Sequence, residues 1–492
     1  MNRNLKARTA GSLKWNMVDR LSTQVLYAVT GIVLARLLSE EDFGLVGAVL
    51  VFQAFASLLV DSGFSFALLQ KQRPTRLDYS SVLWFNLGCS ALLYIILCAG
   101  APLVAACFGG DPRLIPLSRV MFLSLILNAS VIVQTNRLMK AMDVRMVAAS
   151  NFIGLVAGGI TGIYLALDGA GAWAIVWQTL VMGACKSLVL WTSSRWRPMM
   201  RMSWSAIRSF FGIGSKMMFT SFLNTLFLNI YSFIIGNRLG MAPLGYYTQA
   251  DKWSKMGIAS LSQILTSTFV PTLSAVQDQP ARFRLICSKM NRFTAYILFP
   301  AMIGLMVMAR PIFHTLFGDK WDPSIFLFQL LLLRGIFTVL ISLYNNYLLA
   351  LGHARIIMRL EIVRDATALA ALVATLPFLA LSLPGEPVYG IGIMLWGQLA
   401  ASVLTWVLTL IYTVRATGST AGSYLYDLLP YFALTSAIVP VMYLGAGAVD
   451  APILKVAVEA AIGAVLYVAV NHALRSRIQQ QIFAYLRGRA TD

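Results

Sequence analysis

Residues 324–350 read SIFLFQLLLLRGIFTVLISLYNNYLLA, an apolar stretch interrupted by one charged residue, Arg334. About 20 mostly apolar residues are enough to cross a bilayer as an α-helix, so the stretch predicts a membrane span. Thirteen further segments of the same kind lie at about 14–38, 43–69, 79–107, 114–138, 146–167, 170–192, 206–236, 244–272, 291–317, 357–382, 387–414, 425–446 and 451–473. The sequence therefore predicts an all-α polytopic membrane protein with about fourteen transmembrane helices.

The composition agrees with a membrane protein and excludes several other classes. Of 492 residues, 58% are hydrophobic and 12% are charged, whereas soluble domains carry roughly 25% charged residues. The connections between the apolar segments are too short for an extramembrane catalytic domain. The histidines and cysteines have no metal-ligand spacing, and the chain contains no P-loop motif. We therefore expect no enzymatic activity, no cofactor and no metal ion.

The distribution of positive charge predicts the topology. The net charge is +19, and Lys and Arg cluster in every second connection, as in Lys71–Arg76 and Arg195–Arg201. The connections between them, such as Ser39–Asp42 and Gly318–Asp322, are acidic or neutral. Because cytoplasmic loops collect Lys and Arg, we expect a multi-pass protein of the bacterial inner membrane with both termini in the cytoplasm. The charges are too scattered for a nucleic-acid partner.

Two short patterns recur about 200 residues apart. Gly11-Ser-Leu-Lys14 and Gly214-Ser-Lys216 are each followed 22 residues later by an Arg-Leu pair, and Asn136 and Asn346 each precede an arginine by nine residues. Six predicted spans separate the copies, so the copies share an orientation, as in transporters built from parallel repeats. The predicted domains are an N-terminal lobe (1–204), a C-terminal lobe (205–418), and two extra helices with a cytoplasmic tail (419–492).

Ionisable residues inside the spans indicate a functional site. Each costs about +2.5 to +3.5 kcal/mol on insertion scales, so each is expected to face a cavity or a partner. Some pair locally, as Asp251 and Lys255 do at i and i+4, and some snorkel to an interface. The remaining excess of cations predicts an anion site, with phosphate as the ligand. The cations are Lys14, Arg20, Arg119, Lys186, Lys216, Lys252, Lys255, Arg334 and Arg364, and the carboxylates are Asp19, Asp61, Asp251, Glu361 and Asp365.

Several stretches carry a resemblance to a known family: Gly11–Trp15, Leu34–Leu38 with Phe43-Gly44, Asp61–Phe64 with Leu69-Gln70, and Gly318–Trp321 with Gln329-Leu-Leu. On these stretches the chain resembles the polysaccharide transporter branch of the multidrug/oligosaccharidyl-lipid/polysaccharide exporter superfamily. It is most similar to lipopolysaccharide-biosynthesis flippases of the colanic-acid-exporter type. The resemblance covers about residues 8–415.

The resemblance implies two pseudo-symmetric six-helix lobes around a central cavity, followed by two extra helices. It further implies translocation of undecaprenyl-pyrophosphate-linked oligosaccharide to the periplasmic leaflet by alternating access, with membrane lipids and polymerase or chain-length proteins as partners. The cationic cavity is expected to hold the pyrophosphate and sugars. The candidate substrate-binding residues are Arg20, Lys216, Lys252, Arg119 and Arg334, and the candidate coupling-ion or charge-pair carboxylates are Asp19, Asp61 and Asp365.

Three other functions stay open at this point. A multidrug or cation antiporter of the same superfamily needs a cavity dominated by carboxylates, and Asp19, Asp61 and Asp365 are candidates for it. A peptidoglycan-precursor flippase shares the phosphate chemistry. A membrane polysaccharide polymerase or ligase needs a sizeable periplasmic loop, which the short connections do not provide.

Overall fold

A computed structural model describes the backbone of residues 3–61, 63–194, 196–381, 388–447, 449, 451–476 and 478–481. Within these ranges, the side chains of residues 3–14, 16–17, 213, 216–217, 263–268 and 270–272 lie outside the description. Every regular element in the described part of the chain is helical. This confirms the all-α polytopic prediction.

Each predicted span corresponds to one helix or to two helices separated by a short break. The first nine helices are α1 (Arg3–Leu37), α2 (Glu40–Asp61), α3 (Phe64–Gln70), α4 (Arg76–Ala99), α5 (Ala101–Cys107), α6 (Leu114–Met121), α7 (Leu123–Lys140), α8 (Val144–Leu167) and α9 (Trp173–Ser193). The next nine are α10 (Trp204–Leu239), α11 (Met241–Ser274), α12 (Pro280–Val307), α13 (Ala309–Leu316), α14 (Asp322–Ala350), α15 (Ala354–Thr375), α16 (Tyr389–Thr417), α17 (Ala421–Gly445) and α18 (Pro452–Ala473).

Local sequence explains where several helices begin and break. Thr75 caps α4 in a reciprocal capping box with Asp78, which satisfies backbone donors that a helix start leaves free. The break between α2 and α3 falls at Gly63, whose φ is +71°. A Cβ at Gly63 would lie 2.4 Å from the carbonyl oxygen of Gly214 in α10. The glycine is therefore required both by its backbone angle and by the close approach of α10.

By length and hydropathy, eleven helical segments of the described chain qualify as membrane spans. The three predicted spans outside this set coincide with α1, α11 and α15. These helices contain Asp19 and Arg20, Asp251 and Lys252, and Arg364 with its acidic neighbours, and such charges lower the hydropathy of a segment. The multi-pass architecture is thus established, and the number fourteen stays a prediction.

The chain divides into two compact units, a first unit (Met1–Thr248) and a second unit (Gln249–Asp492). Because α10 packs on α2, α3 and α4, it belongs to the first unit. The division therefore comes after α10, inside α11. The same helix pairing occurs in each unit. In the first unit α4 packs on α7 and α8 on α9, and in the second α12 packs on α14 and α15 on α16. The predicted lobe boundaries stay a proposal.

Two turns at equivalent positions of the predicted repeat have the same geometry. After α7, the Asp143 N–H donates to the Leu138 carbonyl at 2.9 Å, and after α14 the His353 N–H donates to the Leu348 carbonyl at 2.9 Å. One position earlier, φ is positive in both turns, +59° at Met142 and +78° at Gly352. The two turns are therefore copies of one motif, and the first has a side chain where the second has glycine.

Met142→Gly is expected to stabilise the protein. A non-glycine residue in the left-handed region carries a steric cost of roughly 1–2 kcal/mol, part of which returns as the extra entropy of an unfolded glycine. A net gain of up to about 1 kcal/mol is expected, seen as a higher thermal midpoint of the detergent-solubilised protein. The matched reverse change, Gly352→Met, is expected to lower the midpoint, and an unchanged or lower midpoint for Met142→Gly contradicts the interpretation.

A reciprocal glycine contact joins the first turns of α2 and α11 within the first unit. A Cβ at Gly44 would lie 1.9 Å from the Met241 carbonyl oxygen, and a Cβ at Gly245 would lie 1.9 Å from the Glu40 carbonyl oxygen. Gly44 stands four residues after Glu40, which Gly245 contacts, and Gly245 stands four residues after Met241, which Gly44 contacts. Phe-Gly at 43–44 and Leu-Gly at 244–245 belong to the repeat, so equivalent residues make equivalent contacts across a local two-fold arrangement.

Candidate functional site

Lys252 is a cation of the second unit that has no acidic partner among the described residues. It lies on α11, half-buried, and its Nζ is 5.4 Å from the centre of the Trp253 ring. One turn away, Lys255 Nζ binds Asp251 Oδ2 at 2.6 Å, as the i,i+4 spacing predicts. No salt bridge to Lys252 occurs in the part of the chain that the structure describes. The Asp251–Lys255 pair therefore leaves Lys252 available for an anion.

Arg334 lies near the middle of α14, the most extensively buried span of the second unit. Its Nε is buried and has no hydrogen-bond partner among the described residues. The next residue, Gly335, faces α11, because a Cβ there would lie 2.4 Å from Ile258 Cδ1. Lys252 precedes Ile258 by six residues, or about 9 Å along the helix. Two cations without described acidic partners thus lie on α11 and α14, which approach each other at Ile258 and Gly335 in the second unit.

The predicted cations of the first unit have different surroundings. Arg20 is exposed on α1, and Arg119 is exposed on α6, where its Nε donates to the Cys98 carbonyl at 3.3 Å near the end of α4. That contact gives Arg119 a role at the end of a helix. The side chain of Lys216 lies outside the described residues, although the exposed ring of Phe219, one turn later, marks an uncovered face of α10.

Asp19 is held by a neighbouring helix. Asn151 Nδ2 on α8 donates to both of its carboxylate oxygens, at 3.1 and 3.3 Å. Lys186 on α9 is half-buried and interacts electrostatically with Asp19. Three helices of the first unit therefore bring together an acid, an amide that donates hydrogen bonds to it, and an amine that supplies a positive charge nearby.

The other two predicted carboxylates are also engaged. Asp61 accepts from the Ser65 N–H at 3.3 Å and from its hydroxyl, and Ser65 Oγ accepts from Asn136 Nδ2 at 2.8 Å. This network bridges the break between α2 and α3 and ties it to α7. Asp365 binds Arg364 at 2.9 Å, and Arg364 also binds Glu361 at 2.6 Å. Both carboxylates therefore have structural partners within their own unit.

Three ionisable residues in the spans gain importance only from the structure. Arg292 on α12 binds Asp427 on α17 at 2.6 Å, and Asp427 is buried. Glu459 on α18 is buried without an ion pair in the described part of the chain. These residues were not among the candidates predicted from the sequence, although each lies inside an apolar segment, which was the available signal. Their positions did not reveal the ion pair, because Arg292 and Asp427 are 135 residues apart.

Comparison with known proteins identifies the family. Residues 33–326 match the family described as polysaccharide biosynthesis protein. The chain belongs to this family. The lipopolysaccharide biosynthesis protein WzxC of Escherichia coli K12 is 24% identical over 441 residues, covering 87% of this chain and 86% of that protein. The succinoglycan biosynthesis transport protein ExoT of Rhizobium meliloti is 26% identical over 351 residues, 71% of each chain.

A solved structure shares the fold of this polysaccharide biosynthesis family member. The lipid II flippase MurJ in an inward closed conformation superposes with a TM-score of 0.74 at 13% identity, over 96% of this chain and 99% of that one. The shared fold is that of a multi-pass membrane protein, and the relatives matched in sequence are proteins of polysaccharide biosynthesis and transport. The chain is accordingly a transporter and not an enzyme.

Proposed function

We propose that this transporter is a flippase for undecaprenyl-pyrophosphate-linked oligosaccharide repeat units, moving them from the cytoplasmic to the periplasmic leaflet. The observation that carries the proposal is the pair of cations Lys252 and Arg334, which lie without described acidic partners on two helices that contact each other. A pyrophosphate offers the negative charge that such a pair lacks. The ammonium serves as a point charge, and the guanidinium provides a fork that matches phosphate oxygens.

The mechanism follows from the physical chemistry of the substrate. The pyrophosphate and sugars cannot cross the hydrocarbon layer unshielded, whereas the polyprenyl tail is apolar and dissolves in it. In the proposed cycle Lys252 and Arg334, both in the proposed lobe of residues 205–418, hold the charged headgroup, while the tail stays in the bilayer. The lobes then rock to expose the site to the other leaflet. Residues 419–492 form two further helices and a tail, with both termini in the cytoplasm.

The runner-up function is a multidrug or cation antiporter. An organic cation needs a free carboxylate inside the membrane, and Asp19, Asp61 and Asp365 are the candidates. Each is engaged, by Asn151, Ser65 and Arg364 respectively. The balance of available charge at the predicted sites is therefore positive, which favours an anionic substrate.

Deletion of the gene is expected to trap complete repeat units on undecaprenyl pyrophosphate at the cytoplasmic leaflet and to remove the surface polymer. The measurement is mass spectrometry of the lipid-linked pool, with surface polysaccharide scored alongside. Loss of the polymer with accumulated repeat units also fits a defect in polymerase or chain-length partners. Accessibility of the pool to a membrane-impermeant enzyme separates these cases. A normal pool with lowered resistance to cationic compounds would transfer the assignment to the antiporter.

A further inference from the structure

Glu459 differs from the other deeply buried carboxylates of this protein. The described residues include three Asp or Glu residues with almost no exposed surface, namely Asp78, Asp427 and Glu459. Asp78 binds Lys71 at 2.8 Å and Asp427 binds Arg292 at 2.6 Å. Glu459 is 1% exposed, and its Oε2 has no hydrogen-bond partner within the described ranges. It is a carboxyl group shielded from solvent and without an ion pair among the described residues, and Lys455, one turn earlier on α18, is the charge that acts on it.

The position of Glu459 along α18 places it in the hydrocarbon layer. It follows the first residue of the helix, Pro452, by seven residues, which is about 10 Å at 1.5 Å per residue. The hydrocarbon core is about 30 Å thick, so the carboxyl lies well inside it. A carboxylate ion in such surroundings is strongly disfavoured, whereas the protonated acid is not.

An interrupted helix packs on α18. α12 ends at Val307 and α13 begins at Ala309, and α13 packs on α18. Proline has no backbone N–H, so Pro311 cannot donate the usual helical hydrogen bond to the Val307 carbonyl four residues earlier. Ile462, one turn after Glu459, packs against the same apolar cluster as Val307. Interrupted helices with freed carbonyls line ion sites in other transporters.

The charged groups on the neighbouring elements have other partners or are exposed. On α13, Arg310 is exposed and His314 contacts Asp319 and Asp322 at 2.8 and 2.7 Å. On α18 itself, Lys455 stands one turn before Glu459 and interacts electrostatically with it, while its Nζ lies 6.0 Å from the centre of the Tyr443 ring of α17. The remaining titratable groups on these elements and on α12 are Arg282, Arg284, Cys287, Lys289, Arg292, Tyr296, Tyr424, Tyr426, Asp427, Tyr431, Tyr467 and His472.

We propose that Glu459 is a proton-binding site and that protonation of this carboxyl couples a transmembrane proton gradient to transport. The proposal rests on the flippase function proposed above, and it names the coupling ion. A proton from the side where α18 begins converts the carboxylate to the neutral acid, and its release to the other side regenerates the carboxylate. A metal cation fits less well, because no group of three or more His, Cys, Asp or Glu side chains is assembled in the described chain.

Proton binding is tested first on the purified full-length protein by infrared difference spectroscopy during a pH titration. The wild type is expected to show the carbonyl stretch of one buried protonated carboxyl group that is absent in Glu459→Gln. Glu361→Gln, which removes a span carboxylate paired with Arg364, is the matched control and is expected to retain the band. A band that persists in Glu459→Gln overturns the proposal, whatever the substrate of the transporter is.

Coupling is tested in proteoliposomes loaded with the lipid-linked oligosaccharide that accumulates in the deletion strain. An inward proton gradient is expected to accelerate flipping at least 10-fold for wild type and Glu361→Gln, and not for Glu459→Gln. If Glu459→Gln fails to fold, Glu459→Asp is used, and its pH dependence is expected to shift. Acceleration that survives in Glu459→Gln, or that requires sodium instead, overturns the coupling role. Absence of flipping by wild type under every gradient overturns the proposed function, while the infrared result still decides proton binding.

Discussion

Lys252→Ala is expected to lower export of the surface polysaccharide roughly 10- to 150-fold while the protein remains in the membrane. A hydrogen bond to a charged group contributes about 1.5–3 kcal/mol, which corresponds to that range of affinity. No carboxylate in the described chain forms a salt bridge with Lys252. Its removal therefore leaves no buried carboxylate without a counter-charge. The measurement is surface polysaccharide per unit of membrane-inserted protein in the complemented deletion strain. Arg334→Ala is expected to act in the same direction.

The adjacent turn provides the control for this prediction. Lys255 lies on the same helix and binds Asp251 at 2.6 Å, with 44% of its side chain exposed. Lys255→Ala removes the same number of charges from α11, and we expect at most a few-fold loss of export, because exposed pairs of this kind contribute little. Equal losses for Lys252→Ala and Lys255→Ala would indicate that total charge on α11 matters and that Lys252 contacts no substrate.

Gly44→Val is expected to remove most of the folded transporter from the membrane. A Cβ at this position would lie 1.9 Å from the Met241 carbonyl oxygen, far inside van der Waals contact. The obstacle is backbone, so no side-chain rotation relieves it, and the first turns of α2 and α11 must separate. Overpacking costs about 1–3 kcal/mol even where side chains adjust, and a larger loss is expected here. Fluorescence-detected size-exclusion chromatography of the solubilised protein, with a thermal ramp, measures it.

The milder pair Gly44→Ala and Gly245→Ala tests the reciprocity of the contact. Each single change is expected to lower the thermal midpoint by several degrees, and the double change by less than the sum, since both act on one contact. Gly88→Ala in α4 is the matched control, because a Cβ at Gly88 has no neighbour within 4 Å. A midpoint for Gly44→Ala equal to that of Gly88→Ala would show that the two helices separate without cost.

Local sequence was sufficient for the helices and for the repeat. A backbone in lipid must satisfy its hydrogen bonds inside each segment, so apolar runs such as 324–350 had to become helices whatever their neighbours. The Asp251–Lys255 pair was predictable for the same reason, since i,i+4 geometry belongs to one helix. The matching turns at Met142 and Gly352 follow the repeat that was read from Asn136 and Asn346. The relation of Gly44 to Met241 needed coordinates.

The distribution of free and paired charge was decided by the tertiary structure alone. Whether a span residue meets a partner depends on the rotation and depth of two helices that are distant in sequence, and no local pattern encodes either quantity. Asp19 stays a candidate coupling-ion residue, and the fold brings Asn151, 132 residues away, to donate to both of its oxygens. Arg292 and Asp427 form an ion pair although they are 135 residues apart, whereas Glu459 has no ion pair in the described part of the chain. The sequence by itself determined that this chain spans a membrane in repeated helices, and the packing of those helices determined which of its charges remain available to bind a substrate or a proton.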